Sequence, residues 1–318
     1  MKIVCDQYIP FLVESINQKW PDVQICPMEP EQINAQNVHS ADVLIVRSRT
    51  HVDETLLCNS HVRLVCTATI GFDHIDTAWC DAHHIRWVAC PGCNAQAVCD
   101  YVKEALEELG VRNQETGIKT IGIVGVGHVG SRVAQMAEQM GLTVLLNDPP
   151  KKIGVSINSI ARQCDVITFH TPLTDTTQPY STYHLCNADF LRMMKPNAVI
   201  INAARGGIVD EQALLKSEHP FILDTWENEP HINPKVLKTA TMATMHIAGY
   251  SLEGKRNATQ MCLDAIAESF ALPPIHIPIS TNNRTRGDSN CGWIKRISDR
   301  LKADPDQFEN LRKQYALR

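Results

Sequence analysis

Between positions 120 and 245 the chain alternates short, mostly apolar runs with longer amphipathic stretches. The runs are Thr120–Val124, Thr143–Leu146, Val166–His170, Ala198–Ala203, Phe221–Thr225 and Thr241–Met245. Strands that are apolar throughout, rather than alternating, belong to a parallel sheet covered on both faces. Six of them predict one doubly wound domain. Before residue 94 a second set recurs, at Lys2–Cys5, Val43–Val46, Leu64–Thr67 and Trp87–Ala89. Helix-like or polar stretches separate these runs, which predicts a smaller parallel sheet with crossover helices. Between the two sets, Val98, Val102, Ala105 and Leu109 share one helical face, with Asn94 placed to cap and Gly110 to terminate. This helix is expected to join the two domains.

After Gly249 a helix over Ala258–Phe270 is expected to pack back on the first domain. Pro273, Pro274 and Pro278 then break the chain. The tail carries two amphipathic helices, one with Trp293, Ile294, Ile297 and Leu301 on a face. The other opens at Asp304-Pro305 and carries Phe308, Leu311 and Tyr315. So small a tail cannot bury a core alone and must pack on the body or on a second subunit. The expected division is 1–93 completed by 250–272, then 94–249, then 273–318. Two connections look short, as if residues were missing: Pro150–Ser159, and the roughly ten residues between Val209 and Phe221, where a crossover usually takes a dozen or more.

Composition narrows the class. At 318 residues the chain has room for about two domains of ~150 residues. A net charge of −5 argues against nucleic acid as the main partner. No apolar run approaches the ~20 residues of a membrane span, and the N-terminus enters a strand without a signal-peptide pattern. Twelve scattered cysteines predict reduced thiols in a cytoplasm. Cys90-Pro-Gly-Cys93 lacks a second pair for zinc and is read as a loop, so no metal site is expected.

The densest signal is Gly122-Ile-Val-Gly125-Val-Gly127-His-Val-Gly130, a strand, a glycine turn and a helix, followed by Asp148 at the end of the next apolar run. This is a dinucleotide-binding fingerprint in its proper context. Gly125 permits the turn, Gly127 admits a pyrophosphate, and Gly130 lets the helix lie close to the sheet. Asp148 can accept from both ribose hydroxyls and repels a 2′-phosphate, which favours NAD over NADP, although Lys151 and Lys152 stand nearby.

Arg205, Glu229 and His246 each follow a predicted strand of that domain, and ligands bind outside the carboxyl ends of such strands. A guanidinium can clamp a carboxylate and polarise a reacting oxygen. An imidazole can take the hydroxyl proton as hydride leaves, and a carboxylate can fix its tautomer. Glu227 competes with Glu229 for that last role.

These segments resemble the D-isomer-specific 2-hydroxyacid dehydrogenases: the glycine turn, Asn202-Ala-Ala-Arg-Gly-Gly207 and Asp224-Thr-Trp-Glu-Asn-Glu-Pro230. Narrower matches point to the branch that oxidises 4-phospho-D-erythronate. They are Val46-Arg-Ser-Arg-Thr50, Thr67-Ala-Thr-Ile-Gly-Phe-Asp-His74, Pro91-Gly-Cys-Asn-Ala95, Asp148-Pro-Pro150, His246-Ile-Ala-Gly-Tyr-Ser-Leu-Glu-Gly-Lys255 and Phe308-Glu-Asn-Leu-Arg-Lys-Gln-Tyr315. The resemblance implies an α/β fold, with a Rossmann domain, a smaller flavodoxin-like substrate domain and a short C-terminal dimerisation segment. It implies NAD as cofactor and a homodimer, in a step of pyridoxal 5′-phosphate biosynthesis. By the same resemblance Arg205, Glu229 and His246 are catalytic. Ser48, Thr69 and Tyr250 contact substrate. His128, Val129, Asp148, Thr171, Ala203, Ala204, Asp224 and Gly249 join the glycines around NAD. Another dehydrogenase of the group, such as one for D-3-phosphoglycerate, or an NAD(H)-sensing regulator remain alternative readings.

Overall fold

The computed structural model describes residues 1–111, 117–278 and 292–316. They fall into two units, each built on its own sheet.

The first unit is Met1–Asn94 with the described part of Ser251–Arg284. Its strands are β1 (Lys2–Asp6), β2 (Gln24–Met28), β3 (Val43–Val46), β4 (Leu64–Thr67) and β5 (Arg86–Val88), all parallel, in the order β2-β1-β3-β4-β5. That is the flavodoxin-like order. Every residue of β3 and β4 is buried, which is why both were plain in the hydrophobic pattern. β2 was not anticipated. It is an edge strand, partly exposed, and contains Pro27, a residue that sheets tolerate at their edges. The helix Leu252–Phe270 begins before the expected Ala258, because Ser251 Oγ caps it by accepting from Gly254 N–H at 2.9 Å. Its Ala258, Cys262, Leu263 and Ile266 pack among Ile3, Val43, Ile45 and Leu64.

One local expectation fails here. Asn94 does not cap the helix Ala95–Glu108 through its side-chain oxygen, which is buried without a partner among the described residues. Cys90 lies in a loop, but its thiol is wholly buried, 3.8 Å from Cys262 Sγ and donating to Thr67 and Ala258 carbonyls at 3.3 Å each. The Cys262 contact and burial push that thiol far above its usual range, so it is inert as a nucleophile.

The second unit is Ala95–Tyr250 with the described part of Thr285–Arg318. It contains β6 (Thr120–Val124), β7 (Thr143–Asp148), β8 (Ile153–Gly154), β9 (Val166–Phe169), β10 (Val199–Asn202), β11 (Phe221–Leu223) and β12 (Met242–Ala243). The sheet order is β12-β11-β10-β9-β6-β7-β8, parallel except for the β7–β8 hairpin. Strand order reverses at β6, and that switch point is where a doubly wound sheet opens a crevice for ligand. A single turn, Glu211–Leu214, serves the crossover from β10 to β11, and β8 turns straight back on β7.

The tail helices belong to this unit. Among the described residues β12 pairs only with β11, which leaves one edge open to the strands described. Helix Trp293–Ala303 lies along it: Ser298 Oγ accepts from Ala243 N–H at 2.9 Å, and Lys302 Nζ donates to the Ala240 carbonyl. Ile294 and Leu301 are completely buried. An uncovered edge is a template for unwanted pairing, and this helix removes it. The final helix, Phe308–Gln314, anchors through Phe308, which is 1% exposed; Asp304 makes no side-chain cap.

Candidate active site

The glycine turn between β6 and the helix His128–Gln139 is sterically specified. Gly125 has φ +91°. A Cβ on Gly130 would stand 1.9 Å from the Gly125 carbonyl oxygen, so no larger residue lets the helix approach. Gly127 is different: nothing lies within 4 Å of where its Cβ would be. As N-cap it offers no side-chain acceptor to the helix's first N–H groups. Thr171 Oγ1 is buried without a partner among the described residues. Free N–H groups, an open glycine and an orphan hydroxyl are the donors that a dinucleotide's phosphates and ribose would satisfy, so these residues fit NAD.

Asp148 is 8% exposed. Its Oδ2 accepts from Val126 N–H at 2.8 Å and bridges to Lys151 Nζ at 3.8 Å, while Lys151 also donates to the Val126 carbonyl at 2.8 Å. Lys151 is thus tied to the turn. Of the other expected cofactor positions, His128 opens the helix and is exposed, Val129 is half-buried beside it, and Ala203 and Ala204 follow β10.

His246 and Glu229 meet directly. His246 Nδ1 lies 2.8 Å from Glu229 Oε2, and Trp226 N–H donates to the other carboxylate oxygen at 2.9 Å. Burial disfavours the imidazolium. The hydrogen bond and charge of Glu229, with Asp224 behind it, outweigh burial and the opposing Arg205, and hold the His246 pKa above its ordinary 6.5. With Nδ1 committed to the carboxylate, Nε2 is the nitrogen left for a ligand. Arg205 stands in the turn after β10, within electrostatic reach of His246. Asn202 fixes that turn by donating to the Arg205 carbonyl at 2.9 Å and accepting from Ala204 N–H at 3.1 Å.

Asp224 is fully buried. It accepts from Thr244 Oγ1 at 2.6 Å, Ile247 N–H at 2.8 Å and Ala248 N–H at 2.9 Å, bracing the loop that holds His246 at φ +58° and leads to Gly249. Glu227, the sequence rival, points elsewhere: its Oε1 lies 3.0 Å from His184 Nε2, whose Nδ1 is 3.9 Å from Asp210. These three offer atoms close enough together to hold a metal ion, but each histidine nitrogen already faces a carboxylate.

Sequence reasoning missed Glu211. It is 4% exposed and accepts from Glu227 N–H at 2.8 Å. Burial, with the charges of Glu227 and Glu229, pushes its carboxyl up to about 7. No local pattern marks an acid whose burial depends on a loop sixteen residues away.

The remaining expected substrate residues are placed as follows. Ser48 is exposed in the turn after β3, where Arg47 is pinned to Asp6 at 2.8 and 3.1 Å. Thr69 Oγ1 donates to the Gly71 carbonyl at 2.8 Å and touches Thr67 Oγ1 at 2.6 Å. Tyr250 is half-buried against the second unit's core.

Residues 97–248 match the family model described as the D-isomer specific 2-hydroxyacid dehydrogenase, NAD binding domain. An erythronate-4-phosphate dehydrogenase of Bacteroides fragilis is 41% identical over 342 aligned residues, spanning 100% of this chain and 97% of the relative. One from Edwardsiella ictaluri is 38% identical, covering 100% of this chain and 92% of its own. Among solved structures, a 3-phosphoglycerate dehydrogenase of Entamoeba histolytica with bound NAD+ is similar in fold, with TM-score 0.68 at 23% identity over 88% of this chain and 99% of that one. A D-lactate dehydrogenase of Aquifex aeolicus with NAD and lactic acid gives TM-score 0.63 at 21% identity over 84% and 95%. Among the described residues no helix is long and apolar enough to cross a membrane. The chain belongs to the erythronate-4-phosphate dehydrogenase family, within the NAD-dependent D-isomer-specific 2-hydroxyacid dehydrogenases.

Proposed function

We propose that the protein oxidises 4-phospho-D-erythronate to (R)-3-hydroxy-2-oxo-4-phosphooxybutanoate. The observation that carries this is the 2.8 Å contact of His246 Nδ1 with Glu229 Oε2, with Arg205 in electrostatic reach, beyond the carboxyl ends of β10, β11 and β12. Relatives of that name at 41 and 38% identity over the whole chain support the substrate.

Arg205 holds the substrate carboxylate and the C2 oxygen through its planar donors. Neutral His246 takes the C2 hydroxyl proton on Nε2 as the C2–H bond gives up hydride, leaving a C2 carbonyl. Glu229 keeps Nδ1 protonated and favours the imidazolium formed in that step. Bound NAD supplies the hydride acceptor. Ser48, Thr69 and Tyr250 are the proposed substrate contacts. The protein acts as a cytoplasmic homodimer in this reading, which its free cysteines suit.

The test is NADH formation by purified protein with 4-phospho-D-erythronate, D-3-phosphoglycerate and D-lactate, alongside His246→Ala. Turnover should favour the first acid, and the variant should lose roughly 10²- to 10⁴-fold in kcat while still binding NADH. A preference for either other acid, or a fully active variant, would sink the proposal.

A further inference from the structure

Beside the His246–Glu229 pair stands a cation that no strand of the sheet supplies. The helix Phe308–Gln314 is seated by buried Phe308, with Leu311 and Tyr315 packed against the core that contains Trp226 and Met245. That seating puts Arg312 Nη1 3.9 Å from Glu229 Oε2 and 3.3 Å from Glu309 Oε1. Arg312 and His246 therefore address the same carboxylate oxygen, while Trp226 N–H holds the other.

The charges around the pair are unevenly placed. Asp224 faces His246 from the end of β11, and Arg205 faces it from the turn after β10. Glu211 acts on Glu229 from the crossover helix. From the tail come Glu309 and Arg312. Among the described residues Arg312 is the only arginine or lysine paired with Glu229.

We infer that Arg312 is a positioning residue for the reaction: its guanidinium steadies the Glu229 carboxylate on His246 Nδ1 and offsets part of that carboxylate's charge. The inference rests on the proposed roles of His246 and Glu229. A half-exposed ion pair adds little to folding. Its effect here is on a carboxylate that has to keep one oxygen on an imidazole. Without Arg312 the negative charge of Glu229 on His246 is offset by Arg205 alone among the arginines named here, so the imidazolium is favoured further. The neutral form needed to accept a proton then appears only at higher pH. The C-terminal helix thereby contributes to proton transfer as well as to packing.

The experiment measures kcat/KM against pH for 4-phospho-D-erythronate oxidation in wild type, R312Q, R312K, E229Q and R312Q/E229Q, with NADH affinity and thermal unfolding recorded for each. R312Q should move the acid limb alkaline by roughly half a pH unit, seen as about a threefold loss below the limb. NADH affinity should not change. R312K should restore the limb, and R312Q should add no shift in the E229Q background. A profile for R312Q that overlays wild type, while E229Q is impaired, overturns the inference and leaves the dyad standing. So does a loss of rate that follows a lowered Tm with the limb unmoved, or an equal shift in both backgrounds. Wild-type rates for E229Q would remove the dyad and the inference together.

Discussion

The carbonyl oxygen of Trp226 lies 1.9 Å from the point that a Cβ on Gly206 would occupy. The turn that carries Arg205 therefore rests directly on the loop whose Trp226 N–H holds Glu229. Gly206→Ala has to push these two loops apart. We expect kcat/KM to fall by about 100-fold, the usual consequence of moving a reacting group by an ångström, with NADH affinity little changed. Steady-state kinetics and NADH titration check this; wild-type kcat/KM would mean that the loops move independently.

The pH dependence of the reaction follows from the raised His246 pKa. In the proposed mechanism oxidation needs neutral His246, so kcat/KM for the hydroxy acid should rise through a pKa above 6.5, and the reverse reduction should fall through the same pKa. Glu229→Gln removes the main cause of the raised value, so both limbs should move to lower pH while the rate drops roughly 10- to 100-fold. Limbs that stay in place would show that another group titrates.

Gly127 and Gly130 should separate binding from folding. Gly130→Ala forces the helix off the turn and should lower both Tm and NAD affinity, because its Cβ meets backbone. Gly127→Ala has open space, so Tm should hold while NAD affinity falls roughly tenfold or more as the methyl fills the path of the pyrophosphate. Equal loss of Tm in both variants would contradict this division.

Glu211 makes stability depend on pH with a defined sign. Its folded pKa, about 7, lies above the ordinary 4.5, so folding favours the protonated form. The contribution is present below about pH 4.5 and is lost as pH rises through 7. Glu211→Gln should raise Tm at pH 8, where the buried charge costs on the order of 3 kcal/mol, and change it little at pH 5. Thermal scans at the two pH values decide it, and an equal effect at both would refute the assignment.

Ser298→Ala should leave Ala243 N–H unsatisfied at the sheet edge, costing about 1–3 kcal/mol in denaturant unfolding. An unchanged midpoint would show that the edge finds another acceptor.

Most of the sheet was legible because its signal is local. β3, β4, β9 and β10 are buried at every position, so each appears as a mostly apolar run. β2 and β8 were not legible. One is an edge strand carrying a proline, and the other is two exposed residues whose only support is the neighbouring β7. The glycine turn could be read because each glycine answers to a steric demand within a few residues of itself. The choice between Glu227 and Glu229 could not, because both lie in one loop and only the partners, His184 and His246, distinguish them.

From the chain alone came the two sheets, the nucleotide turn, the family and the candidate arginine and histidine, all of which depend on short-range periodicity or on contiguous motifs. The folded chain decided which acid meets the histidine and which buried acid is driven toward neutrality. It also decided that a tail serine closes an edge strand and that a tail arginine stands beside Glu229. Those outcomes depend on groups brought together from distant parts of the sequence, where desolvation and charge act across space and leave no periodic trace along the chain.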